Sequence, residues 1–465
     1  MRDDDASGAI DALIDRALSI DGAALSAPVL ERTVDVVLDH LGVALRGHAQ
    51  PWTRSVRDVA LAENAAPQAT LYGGGRTSMR NAALVNGTAG HALELDDTHD
   101  RSLTHPGAVV IAAALAVAEA RGSAPRALLA AIVAGYEFQC RVGLPLGSAL
   151  IRRGVHPTAS LGVFGAAMAA ARLLDLSRAS VGHAVGLAAA MSAGQMQFAH
   201  DPSGTMVKRL YGGLPAERGV LAAQLAAAGI SAPRGAIDGE AGIARVLAGL
   251  DHAQWPPPRG DEPLEVMQVS FKPYACCRNF HALIEALGEI RDGRALSVDA
   301  IESVVVCGPA AMLDHHLERR PASTMAAQYS LPFTTAVALL ADPRALDAFD
   351  APARADPDLL ALADRVVARH DDAFERAFPE HFGGAAELRL RNGEVWTARR
   401  LDSSGTPADP LTRAALLAKY VRVTEGLVAR PLATDLADAI EALPDASSLD
   451  GLHASLAAVA RGFRR

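Results

Sequence analysis

The sequence predicts a mainly α protein: a large all-α helical domain built from both chain ends, carrying a smaller α+β lid domain. Three observations lead there. Half of the 465 residues are hydrophobic but only 4% are aromatic, and alanine fills long runs, which suits closely packed helices better than sheets. From about residue 10 to 250, and again from 411 to about 460, apolar residues recur at helical spacing. Between these stretches the runs become alternating or β-branched, and Asn392-Gly393 is a strong hairpin signal. The expected division is 1–262 with 408–465 for the helical domain and 263–407 for the lid.

Taken in order, the spacing predicts helices over 29–45, 77–95, 108–121, 126–142, 159–174, 179–199 and 207–228. The last of these should break near Pro215. Residues 188–199 are so small that a neighbouring helix is expected to lie very close. In the second region strands are expected over 266–271, 301–306, 387–390 and 395–399, and helices over 280–290 and 327–340.

Bulk properties exclude several classes. A net charge of −9 without a basic block argues against a nucleic-acid surface. The start, Met1-Arg-Asp-Asp-Asp, is acidic and no apolar signal core follows it. The longest apolar run, 108–118, is too short to span a bilayer. The cysteines Cys140, Cys276, Cys277 and Cys307 offer no C-x-x-C spacing for zinc or an iron–sulfur cluster. A reduced, cytoplasmic protein away from membranes, with no metal and no cofactor, is the expectation.

One stretch concentrates chemistry: Asn86-Gly-Thr-Ala-Gly-His91-Ala-Leu-Glu94-Leu-Asp96-Asp97-Thr98-His99-Asp100, then Thr104-His105-Pro106-Gly107. His91, Glu94 and Thr98 fall at i, i+3 and i+7, one stripe of a helix. Asp96, Asp97 and Asp100 would oppose the negative end of that helix's dipole. Pro106 at a first helical position places His105 in a tight connection between two helices. A solvated acidic loop is the plainer reading.

Lysine usage adds to it. Of 44 basic residues only Lys208, Lys272 and Lys419 are lysines, which leaves 41 arginines. Lys208 follows Ser203-Gly-Thr-Met-Val near a helix start, and Lys272 precedes Pro273. An ammonium, unlike a guanidinium, can shift its pKa when buried. His156 precedes Pro157, and His281 opens an expected helix, so His105, His156 and His281 all stand at helix starts, where the dipole favours a neutral ring. Surface lysines and structural histidines would be the bland account. Together these residues suggest a cleft between two domains that binds a multiply charged anion and moves protons.

At these residues the chain resembles the MmgE/PrpD family, which includes 2-methylcitrate dehydratase, cis-aconitate decarboxylase and iminodisuccinate epimerase. The likeness runs through 86–107, Gly135-Tyr-Glu137 with Arg141, 154–165, 204–216, 272–287, Gln328-Tyr-Ser-Leu-Pro-Phe333 and 409–420. It implies a helical domain with an α+β lid, a homodimer, and a cofactor-free site between the domains. It implies catalytic roles for His105, His156, Lys208, Lys272 and His281, and substrate contacts from Glu94, Asp97, Thr98, Arg209 and Tyr329. Three features depart from the family's pattern. Glu94 stands where aspartate is common, the 101–104 connection is slightly longer than in the decarboxylase, and Tyr211-Gly212 replaces a His-Ala pair.

The family's reactions share a C–H bond made or broken next to a carboxylate. An enediolate-like transition state needs cations on the carboxylate oxygens, for which Lys208 and Lys272 are the candidates. His105 or His156 suits the base, and the second histidine or His281 the acid. A 2-methylcitrate dehydratase-like reaction on a small anionic polycarboxylate is the first expectation, with cis-aconitate-type decarboxylation or iminodisuccinate-type epimerisation as alternatives. From other classes, a metal-dependent phosphohydrolase would use His91, His99, Asp100 and His105, and a non-catalytic binding protein would use the cluster without turnover.

Overall fold

The computed structural model describes residues 4–201, 205–257, 259–260, 262–314 and 316–463. Ser203 and Gly204, part of the segment before Lys208, lie outside them. Helix dominates and strands are few. The helix Pro106–Arg121 is buried from Pro106 to Ala118 and apolar on every side. A helix of that kind belongs inside a bundle, and here Ala27–His48, Met79–Gly90, Pro125–Gly143, Pro157–Leu173 and Leu210–Ala227 pack around it. The helices Arg413–Thr424 and Arg430–Glu441 return to Ala27–His48. Leu416, Tyr420, Leu436 and Leu456 therefore share one hydrophobic core with Leu38, Val110 and Phe164.

A second core joins Phe280, Leu283, Val304, Phe333, Phe349 and Leu388. Its sheet is four-stranded. Ile301–Gly308 is central, parallel to Val366–His370 and antiparallel to Gly384–Leu390, which pairs with Val395–Arg400 through the Asn392-Gly393 turn. Gly393 takes φ 91°, the left-handed conformation this turn needs. The strand Val366–His370 was not anticipated. Among the described residues no helix is long and apolar enough to cross a membrane.

Several expected elements change at the site. The helix expected over 77–95 runs only over Met79–Gly90, with Ser78 capping its start. Beyond it Glu94 takes φ 56°, so the helical stripe of His91, Glu94 and Thr98 does not form. The acids past Gly90 find better partners than a helix C-terminus. The segment expected as a strand over 266–271 is a 3-10 turn, Glu265–Gln268, followed by one bridge between Ser270 and Thr98. The helix over 179–199 stops at Ala190, and beyond it Gly194 closes against Ala159 in a conformation reserved for glycine, φ 141°. The helix over 327–340 divides into Thr324–Gln328 and Leu331–Leu340, the second capped by Ser330. Leu210–Ala227 does not break at Pro215. In the second turn of a helix that residue forfeits one hydrogen bond, and its ring packs against Gly162.

Candidate active site

The helices Met79–Gly90 and Leu210–Ala227 cross at glycines. A Cβ on Gly212 would lie 2.4 Å from the Gly87 carbonyl oxygen and 2.7 Å from the Cβ of His91. No side chain fits there, so the crossing requires glycine at position 212. The close crossing brings Lys208 and Arg209, just ahead of the second helix, onto Glu94.

Glu94 sits in a cage. Its Oε1 accepts from the Lys208 ammonium and from Arg209 Nη1 at 2.8 Å. Its Oε2 accepts from the Tyr329 hydroxyl at 3.1 Å and lies 3.7 Å from Lys272 Nζ, which also donates to the Glu94 backbone carbonyl at 3.2 Å. Arg209 continues to Gln328 Oε1 at 2.7 Å, and Gln328 donates to the Leu93 carbonyl at 3.0 Å. Glu94, Lys208 and Lys272 are each 1% exposed. Burial alone would raise the Glu94 carboxyl, but Lys208, Lys272 and Arg209 hold it well below the carboxylate range. Burial, joined by Lys272 and Arg209, lowers Lys208 against the pull of Glu94. Left-handed backbone at a glutamate costs about 1–2 kcal/mol, offset here by contacts to both its side chain and its carbonyl.

The third lysine belongs to the same segment. Lys419 is buried, donates to the Leu95 carbonyl at 2.8 Å and pairs with Asp39 at 2.6 Å. All three lysines of the chain therefore end on residues 94 and 95. Sequence reasoning set Lys419 aside, although lysine rarity was the signal that would have found it.

Beside the cage lies an imidazole cluster. His91 stands 4.9 Å from His105 and 6.2 Å from His156, ring centre to ring centre. His156 caps Pro157–Leu173, its Nδ1 accepting from the Ala159 N–H at 3.3 Å. His105 Nδ1 lies 3.1 Å from the Asp97 carbonyl and 3.3 Å from Asp96 Oδ2. Burial pushes His91 down to about 4, and burial with Lys208 holds His156 well below its ordinary value. Phe198 and Tyr211 flank the His156 ring. The Tyr211 hydroxyl is engaged by the backbone of Gln195, so this residue offers its ring to the site.

Other expected site residues are placed differently. Asp97 accepts from the Tyr136 hydroxyl at 2.8 Å and from the Gly107 N–H at 2.9 Å, holding the start of Pro106–Arg121. Gly107 permits that approach, since a Cβ there would lie 2.5 Å from Asp97 Oδ1. Thr98 donates to Asp100 at 2.6 Å, and Asp100 pairs with Arg278 at 2.8 Å. His281 contacts the Cys276 carbonyl and the Tyr274 ring, not the cage. Of the set a metallohydrolase would need, His99 is drawn to Ser102 and Glu265. Atoms of His91, Asp96 and His105 do lie within 4.8 Å of one another, two imidazoles sharing one carboxylate oxygen. A surface cavity of about 530 Å³, walled by Arg101, Arg141, Trp255 and Glu265, contains none of the cage residues.

Comparison with known proteins joins the two halves of the chain. The MmgE/PrpD N-terminal domain profile matches residues 12–256, and the MmgE/PrpD C-terminal domain profile matches 274–444. The chain belongs to the MmgE/PrpD family. It is 27% identical over 420 residues to a cis-aconitate decarboxylase of Aspergillus terreus, covering 84% of each chain. A cis-aconitate decarboxylase-like protein of Aspergillus oryzae is 26% identical over 396 residues, covering 80% of this chain and 81% of the relative. The cis-aconitate decarboxylase of Mus musculus is 25% identical over 442 residues, covering 90% and 87%. The chain thus carries both domains of the family its motifs resemble, and two of these relatives bear the name of a decarboxylase.

Proposed function

We propose that this MmgE/PrpD protein is a cofactor-independent lyase acting at the carbon next to a carboxylate of a small polycarboxylate. The carrying observation is the Glu94 cage beside the imidazole cluster. Three cations facing one carboxylate leave two positive charges for an anionic substrate. The named relatives support decarboxylation of a cis-aconitate-like tricarboxylate as the first reaction to test. A 2-methylcitrate-type dehydration comes second and iminodisuccinate-type epimerisation third. The homodimer, the cytoplasmic setting and a lid function for 263–407 belong to the same reading, and light scattering on the purified protein tests the first of these.

Hydrogen bonding supports distinct roles for the two histidines. A carbonyl oxygen only accepts, so Nδ1 of His105, facing that of Asp97, carries hydrogen and leaves Nε2 with the lone pair. That is the arrangement of a base. A backbone N–H only donates, so Nδ1 of His156 is the acceptor and Nε2 carries the hydrogen. His156 then acts as a neutral donor. In dehydration His105 removes the C–H proton, the electron pair passes into an enediolate held by Lys208 and Lys272, and His156 protonates the departing hydroxide. In decarboxylation the C–C bond breaks to release carbon dioxide, its electron pair enters the same clamp, and the Nε2–H of His156 delivers the proton to carbon, with solvent restoring it.

A second reading, metal-dependent phosphoester hydrolysis, has the donor atoms of His91, Asp96 and His105 in its favour. Turnover lost to a chelator and restored by metal would establish it.

The deciding experiment incubates the protein with cis-aconitate, 2-methylcitrate, citrate and iminodisuccinate in deuterated water and follows each by NMR. One of them is expected to lose carbon dioxide or water, or to exchange a proton. His105→Gln is expected to lower turnover by about 10³-fold or more, with binding within a few-fold. Undiminished exchange in His105→Gln refutes His105 as base.

A further inference from the structure

Asp96 differs from its acidic neighbours in how it is satisfied. Both carboxylate oxygens of Asp97 are engaged, by Tyr136 and Gly107, and both of Asp100, by Thr98, Ser270 and Arg278. Asp96 is 2% exposed, and its side-chain contacts are imidazoles. Oδ2 lies 2.7 Å from His91 Nδ1 and 3.3 Å from His105 Nδ1. Oδ1 has no hydrogen-bond partner, and neither has His91 Nε2. A buried carboxylate kept for stability alone would be saturated, because each unmade bond costs about 1–3 kcal/mol.

The backbone under this residue is braced. Lys419 grips the Leu95 carbonyl and Lys272 the Glu94 carbonyl, at 2.8 and 3.2 Å. The aim of the Asp96 side chain is therefore set from two distant segments.

We propose that Asp96 is the positioning residue for the base, holding His105 together with the Asp97 carbonyl in the tautomer that leaves Nε2 free, with His91 anchoring the shared oxygen. The inference rests on the reading of His105 as base. In the resting protein the oxygen lies nearer His91. When His105 Nε2 takes a proton from carbon, its Nδ1–H becomes part of a cation. The attraction between that cation and Asp96 Oδ2, 3.3 Å away, then draws the carboxylate across from His91. No net proton leaves the cluster until His105 gives it up.

The proposal predicts a split in kinetic effects, with the polycarboxylate that exchanges its carbon-bound proton in deuterated water as the probe. Asp96→Asn is expected to lower kcat by about 10²- to 10⁴-fold, as wrong-tautomer variants of histidine–carboxylate pairs do, with KM within threefold. An amide carries no charge to balance the His105 cation, and its NH₂ turned to His105 favours the wrong tautomer. Asp96→Glu, which keeps the carboxylate, is expected to recover at least tenfold of that loss. NMR of ¹⁵N-histidine-labelled protein, assigned with His105→Gln, is expected to show hydrogen on Nδ1 of His105 in the wild type and a mixture in Asp96→Asn.

A folded Asp96→Asn protein with kcat within threefold of wild type overturns the proposal. So does wild-type protein with hydrogen on His105 Nε2, a measurement that decides the matter even where the variant fails to fold. An active His105→Gln would instead remove the base reading itself. An inactive His105→Gln beside a fully active Asp96→Asn removes the role of Asp96 alone.

Discussion

Glu94 and Asp97 are buried carboxylates three residues apart, and their surroundings drive them in opposite directions. Glu94 faces two ammoniums, a guanidinium and a phenol, and is held well below the ordinary carboxylate range. Asp97 faces a phenol and one backbone N–H, and burial pushes it up to about 7. Both look like substrate contacts in the sequence. In the structure one carries the charge balance of the candidate site, and the other caps the helix behind it. The number and sign of facing groups decide the role of a buried acid, since burial alone drives both upward.

The sharpest break of that comparison is Glu94→Gln. Removing the anion leaves Lys208, Arg209 and Lys272 crowded without a counter-charge. The unfolding free energy should fall by about 3–5 kcal/mol, and kcat/KM on the responding polycarboxylate by about 10³-fold or more. Denaturant unfolding and steady-state kinetics check the two figures. A variant as stable and active as wild type would mean that the cage is not a unit.

Next in size come Lys208→Ala and Lys272→Ala. Each leaves Glu94 two cations, so the fold should lose only about 1–3 kcal/mol. Catalysis should fall about 10²-fold, roughly 2.7 kcal/mol of transition-state stabilisation. Near-full activity in both variants would move the anion site elsewhere.

Asp97→Asn should have the smallest effect on rate, within about threefold. Its stability effect should depend on pH. A carboxyl raised in the folded state from 3.8 to about 7 stabilises the fold while protonated. That contribution is lost as pH rises through the window between the two values, at up to about 1.4 kcal/mol per pH unit. Asparagine does not titrate, so the cost of the substitution should shrink between pH 5 and 7. Unfolding curves at pH 5, 6, 7 and 8 test this, and a pH-independent cost would mean that Asp97 is ionised throughout.

Much of this was open to reading from the chain. Apolar spacing and alanine content determine the helices, because burying one face is a local property of sequence. Asn392-Gly393 determines its hairpin for an equally local reason, the left-handed backbone the turn requires. The scarcity of lysine marked Lys208 and Lys272, and the proline-led helix starts marked His105 and His156. Family motifs added Arg209 and Tyr329.

Tertiary structure decided what each marked residue faces. Helical spacing put His91, Glu94 and Thr98 on one stripe, but the chain leaves the helix at Gly90 because cations 114 to 178 positions away hold Glu94 in another conformation. Lys419 joined the site through a carbonyl 324 positions away, a pairing that no local pattern encodes. The tautomers proposed for His105 and His156 rest on partners of the same kind, the Asp97 carbonyl with Asp96 for one and a backbone N–H for the other. Local sequence sets backbone preference and hydrophobic face. The charge state and hydrogen-bonding role of a buried group depend on partners that meet only when distant segments pack.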